Sequence, residues 1–150
     1  MQEFTLIRNI RSRFLKELEE HSLEELNFIP SSHRNNILWN IGHSVVTQEL
    51  LCYSLSGFHC NMDKELLKLY KIGTAPDGKA TQKDVDVVKH WLVESVDLLE
   101  KDYNAGRFQE FKEYTVGFGT HLTCVEDAIR FNPIHEGLHY GYLLAIKKLL

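Results

Sequence analysis

An all-α fold, an antiparallel four-helix bundle with a long crossover or lid segment between its second and third helices, is what this sequence predicts. Three observations carry that prediction. Apolar residues recur every three to four positions in four long stretches, and no stretch alternates convincingly with the period of two that a half-buried strand needs. Capping residues and glycines bracket those stretches. The 150 residues, 43% apolar and 25% charged, suit one globular core, so 1–150 reads as a single domain.

The first helix is expected from about Gln2 to Glu20, because Phe4, Ile7, Phe14 and Leu18 share a face while Arg8, Arg11, Lys16 and Glu17 fill the others. Ser22-Leu23-Glu24-Glu25 is a capping-box pattern for a short helical turn, and Pro30-Ser31-Ser32 reads as a connection. The second long helix, Asn35 to about Ser56, carries apolar residues on most sides and stops at Gly57, which marks it as central and buried.

Phe58 to Lys79 is polar and punctuated by Gly73-Thr74-Ala75-Pro76-Asp77-Gly78, with one helical piece at Lys64 to Tyr70; long connections of this kind are often functional. Thr81-Gln82-Lys83-Asp84 caps a third helix that ends near Gly106. After a loop around Val116-Gly117-Phe118-Gly119, Thr123-Cys124-Val125-Glu126 is read as a further capping box opening the last helical region. Asn132-Pro133 within that region predicts either a kink or a fresh helix start.

The net charge of −4 is scattered, with no Lys/Arg cluster to neutralise phosphates, which argues against nucleic acid and anionic membranes as partners. Three cysteines, Cys52, Cys60 and Cys124, lack a Cys-x-x-Cys spacing, so neither a disulfide framework nor a thiolate zinc site is indicated. The amino-terminal residues carry no basic or apolar targeting pattern, and no apolar run reaches spanning length. A cytoplasmic location is the expectation.

The most informative segment is His135-Glu136-Gly137-Leu138-His139, whose two imidazoles lie four residues apart on one helix face and suit a shared metal ion. It spells the zincin protease motif, in which the Glu is a general base. A zincin needs a third ligand downstream, and the eleven residues after His139 include no His, Asp, Glu or Cys; the metzincin positions hold Tyr142 and Ala145. The protease reading therefore fails.

A third ligand must come from upstream, and His43, in the most buried-looking helix, is the strongest candidate. The stripe of His135 and His139 continues through Leu138, Tyr142, Ile146 and Leu149 and is expected to face inward. Three neutral imidazoles buried together compete for partners, at about 1–3 kcal/mol per unsatisfied group, and a divalent ion resolves that conflict. On residues alone, metal ligation and ordinary hydrogen-bonded core histidines both stand. His21, His33 and His59 read as solvated, His90 as core or rim, and the pair His121 and Cys124 as an ordinary loop feature.

Glu136 is the one candidate catalytic group, as a general base; its competing readings are an acceptor for a ligand's outer ring N–H and a solvated helix residue beside the stripe. Tyr140 and Tyr142 read as core packing. Phe108, Phe111, Phe118 and Phe131 read as core or as a homodimer face.

The runs Asn35-Asn36-Ile37-Leu38-Trp39-Asn40-Ile41-Gly42-His43, Gly73-Thr74-Ala75-Pro76 and His135-Glu136-Gly137-Leu138-His139-Tyr140-Gly141, in this order and spacing, resemble the DinB-like superfamily over nearly the whole chain. The resemblance implies a four-helix bundle with a divalent metal held by His43, His135 and His139. It also implies a range of reactions, since characterised branches include S-transferases and isomerases that use low-molecular-weight thiols such as bacillithiol or mycothiol. No residue pattern here marks a thiol-binding pocket.

Three functions are thus set against one another. The first is a metal-dependent enzyme, S-transferase-like or hydrolase-like, whose three-His ion keeps open positions for a small-molecule substrate, with zinc the default and nickel or iron suited to imidazole. The second is a non-catalytic, metal-stabilised interaction module, and the third a histidine-rich scaffold with no metal.

Overall fold

Side-chain periodicity and capping place most of the elements where the sequence predicts them. The computed structural model describes residues 1–117 and 119–150, and the expectation for Phe118 lies outside the described residues. Helix α1 spans Gln2–Glu20 and buries Phe4, Ile7, Phe14 and Leu18. It also buries Arg11 and Glu17, which the apolar spacing put on outer faces. Both have charged partners: Glu136 for Arg11, and Lys147 at 2.9 Å for Glu17.

Ser22 and Glu25 form the predicted reciprocal cap on α2, Leu23–Asn27. Asn36 caps α3, Ile37–Glu49, by accepting from the Trp39 backbone N–H, and α3 runs on into a π-helical turn at Leu50–Ser54. Gly57, at φ 79°, ends the segment in a conformation that disfavours a side chain. Within the crossover, Asp63 caps α4, Lys64–Tyr70. Thr81 and Asp84 then close a capping box on α5, Gln82–Asn104.

Three details depart from expectation. A two-residue antiparallel pair joins β1, Tyr114–Thr115, to β2, His121–Leu122. At the start of α6, Val125–Lys147, Cys124 is the N-cap without a side-chain bond, and Asp127 rather than Glu126 accepts from the Thr123 backbone N–H and hydroxyl. Of the two readings of Pro133, a kink or a fresh start, the fresh start is overturned, because α6 is continuous through it. The missing N–H forfeits one bond, to the Ile129 carbonyl, while Ile129, Phe131, Asn132 and Glu136 are buried on both sides of it and hold the helix in place.

Helices occupy 64% of the described residues, and α1, α6, α3 and α5 follow one another around the bundle. Contacts fix their directions. Phe4 meets Tyr103 and Arg8 meets Asp97, so α1 and α5 are antiparallel; Cys52 meets Asn132 and Asn40 meets His139, so α3 and α6 are antiparallel. Gln48 meets Ser95 and Tyr53 meets Asp102, so α3 and α5 run the same way. The chain must therefore return along the whole bundle between them, which is why the crossover of Phe58 to Lys79 is long.

The apolar core falls into two clusters, one around Phe14, Ile41, Leu92 and Leu143, the other around Phe4, Tyr53, Leu99 and Ile129. Arg11, Gln48, Ser95 and Glu136 lie between them along their respective helices, all buried. Among the described residues no helix is long and apolar enough to cross a membrane.

Candidate metal centre

The α3–α6 contact brings together the three histidines named from sequence. Ring centroids of His43 lie 5.2 Å from His135 and 4.8 Å from His139, and those of His135 and His139 are 4.5 Å apart, the consequence of i,i+4 spacing on α6. One ring nitrogen from each lies within 4.8 Å of the others. Nitrogens that share one tetrahedral zinc ion, each at about 2.0–2.1 Å from it, stand about 3.3–3.4 Å apart, so the three rings lie within about 1.5 Å of joint ligation.

Two of the rings are held in a defined tautomer. His43 Nδ1 lies 2.7 Å from the Tyr70 carbonyl, which can only accept, so the proton is on Nδ1 and Nε2 is bare. His139 Nδ1 lies 2.8 Å from Asn40 Oδ1, and the Asn40 amide is oriented by donating its Nδ2 to the Asn36 carbonyl. That places the His139 proton on Nδ1 as well. Outer hydrogen bonds of this kind orient metal-ligating imidazoles. Trp39, one turn before His43, stacks on its ring at 4.6 Å and 7°, and the Trp39 Nε1–H is taken by Thr74 of the Gly73–Pro76 loop at 3.1 Å.

His135 Nδ1 is buried and has no hydrogen-bond partner among the described residues. An orphaned imidazole nitrogen beside two other rings is the observation that fits a shared ion. Burial, together with the neighbouring imidazoles, pushes His135 down to about 3, and burial followed by the charge of His43 pushes His139 down to about 4. His43 is lowered by burial against the opposing pull of the Tyr70 carbonyl. All three are therefore neutral at physiological pH, the form that binds a metal.

The cluster opens into a cavity of about 600 Å³ between α3 and α6, with Leu50, Leu51 and Ser54 of the π-helical turn and Tyr114 and Val116 of the hairpin on its sides. The inward stripe predicted on α6 divides here: Ile146 is buried, whereas Leu138 and Tyr142 stand at the cavity mouth, 58% and 41% exposed, and Leu149 is exposed too. Tyr142 is thus not core; Tyr140 is, packing edge-on against Phe14.

Glu136 is not a solvated helix residue, because it is 0% exposed, turned about 100° from His135 around α6 and toward α1. Its Oε1 accepts from Arg11 Nε at 3.0 Å and Nη2 at 2.7 Å. Burial raises the Glu136 carboxyl above the usual range, with Arg11 pulling it back. His21 is also not solvated: its Nδ1 donates to the Glu17 carbonyl at 2.9 Å. His59 and His90 are exposed, and His121 pairs with Thr115 and Glu113 rather than with Cys124. Phe131 is buried, and the half-buried Phe108 and Phe111 pack against the second apolar cluster, as the core reading expects.

Sequence reasoning missed the outer partners Asn40 and Tyr70 and the stacking of Trp39. Position 39 is one turn from His43, so helical spacing could have found Trp39; the Tyr70 carbonyl has no side-chain signature at all. The family model of the DinB superfamily matches residues 6–143 of the chain. No curated protein matches the chain, and no solved structure does.

Proposed function

The chain belongs to the DinB superfamily, and from that premise we propose that it is a metal-dependent enzyme, S-transferase-like or hydrolase-like, with His43, His135 and His139 as the ligands. The observation that carries this reading is the position of the histidines: they line an open cavity of small-molecule size. A structural metal site is closed by protein on every side, whereas a catalytic one keeps a position free. A divalent ion held by three neutral ligands would keep its full charge and lower the pKa of a thiol or water at the open position.

The chain's own groups have separable tasks in this reading. The Tyr70 carbonyl and Asn40 hold the His43 and His139 rings with Nε2 bare, Trp39 fixes the plane of His43, and Thr47 Oγ1 sits 3.4 Å from His43 Nε2. Leu50, Leu51 and Phe131 exclude water from the sides of the cavity. Glu136, bound to Arg11 inside the bundle, supports α6 beneath His135. We keep zinc as the expected ion, with nickel and iron as the alternatives.

Elemental analysis of untreated protein tests the ligand set. About one equivalent of metal is expected on the wild type and far less on His43→Ala and His139→Ala, with unchanged helical content by circular dichroism. Full occupancy in both variants would overturn the assignment. Thiols screened against electrophiles, with and without added zinc, then test the enzyme reading.

A further inference from the structure

The cavity over the three histidines has no charged side chain among its described lining residues. Leu50, Leu51, Leu55 and Phe131 form its wall, and Ile72 and Leu138 its lip, where they are 73% and 58% exposed. Neighbouring apolar residues left this open on a folded surface commonly mark a ligand or interaction site. The polar lining groups are neutral, and the Asn40 amide is already engaged at both ends by His139 and Asn36. Arg34 and Lys71, which flank the lining residues Asn35 and Ile72 in sequence, are exposed and lie outside the lining.

An anionic group on a ligand entering this cavity would lose hydration along the wall and find no counter-ion there. Only the histidine end would favour negative charge among these lining groups, and only when it holds a divalent ion. We propose that the substrate of this site is an uncharged, largely apolar molecule along the whole length that enters the cavity, with one donor group directed at the histidines. The orientation of that donor rests on the metal reading above; the polarity of the wall stands on its lining alone.

Two matched pairs of probes separate these points. Calorimetry of metal-free protein with phenylbutanol and phenylbutyrate tests the wall without any ion, and zinc-loaded protein with benzyl mercaptan and its para-carboxylate tests it with the donor in place. The neutral member is expected to bind about tenfold or more tightly in both pairs. Leu138→Arg, a substitution at the exposed lip, should bring the carboxylates to parity or better. Equal or tighter binding of the carboxylates by the wild type, absence of binding by either neutral probe, or an unchanged preference in Leu138→Arg would overturn the proposal. Discrimination in the metal-free pair by protein that takes up no zinc would leave the wall chemistry standing and overturn the metal reading instead.

Discussion

Each imidazole of the cluster is kept neutral chiefly by burial, and that has a consequence for stability in acid. In the unfolded chain these rings take protons near pH 6.5, whereas in the folded chain His139 does so near 4 and His135 near 3. Between those limits the unfolded state holds more protons, so stability falls as the pH falls through that window and levels off below it. Metal-free, chelator-treated protein is therefore expected to lose thermal stability between about pH 6.5 and 3, and His135→Phe to show a shallower loss. Thermal denaturation across that range checks it; parallel curves for the two proteins would sink the idea. The three ligand candidates were legible because a period of 3.6 puts positions 135 and 139 on one face and an apolar helix points His43 inward. The tautomers were not, since that of His43 depends on a carbonyl that α4 delivers from 27 residues away and that of His139 on the Asn40 side chain of α3.

The helices themselves differ in how closely they let neighbours approach, and two glycines show it. A Cβ on Gly42 of α3 would sit 2.5 Å from the Tyr70 ring, so the absence of a side chain is what lets α4 dock and bring the Tyr70 carbonyl to His43. Gly141 of α6 faces open space. Gly42→Ala is expected to cost about 1–3 kcal/mol and to weaken zinc binding, because the partner of His43 Nδ1 moves with the ring. Gly141→Ala is expected to gain about 0.5–1 kcal/mol with zinc affinity unchanged. Urea denaturation and a zinc competition titration on both variants check this pair, and equal effects on zinc would refute the docking argument. Caps at Ser22 and Thr81 act through bonds within three residues, and so the starts of α2 and α5 could be located from sequence, whereas α3 begins at Ile37, two residues after the Asn35 expected. The π-helical turn at Leu50–Ser54 and the continuity of α6 through Pro133 are set by packing against other elements, which no local pattern encodes.

Across the whole molecule, one polar layer separates the two apolar clusters and joins all four long helices. Arg11 of α1, 3% exposed, donates to Glu136 of α6, to Gln48 Oε1 of α3 at 2.7 Å, and to Ser95 Oγ of α5 at 2.8 Å. The Gln48 amide completes the layer by donating to the Ser95 carbonyl. Apolar periodicity could not reveal this arrangement, because it assigns every charged position on an amphipathic helix to the outside. A buried pair of this kind is held less by its net attraction than by the cost of breaking it, since removing one partner strands the other charge away from water. Arg11→Met is accordingly expected to cost about 3–5 kcal/mol, and Arg11→Met with Glu136→Met to recover most of that loss, to within about 1–2 kcal/mol of the wild type. Denaturant unfolding of the single and double variants gives both numbers. A loss below about 1 kcal/mol in the single variant would mean that Arg11 reaches water. Glu136 follows His135 directly, so the same layer also sets where α6 sits along α3; the double variant, though stable, is expected to bind zinc more weakly than the wild type. Unchanged zinc affinity in a stable double variant would show that the apolar clusters alone hold the histidines in register.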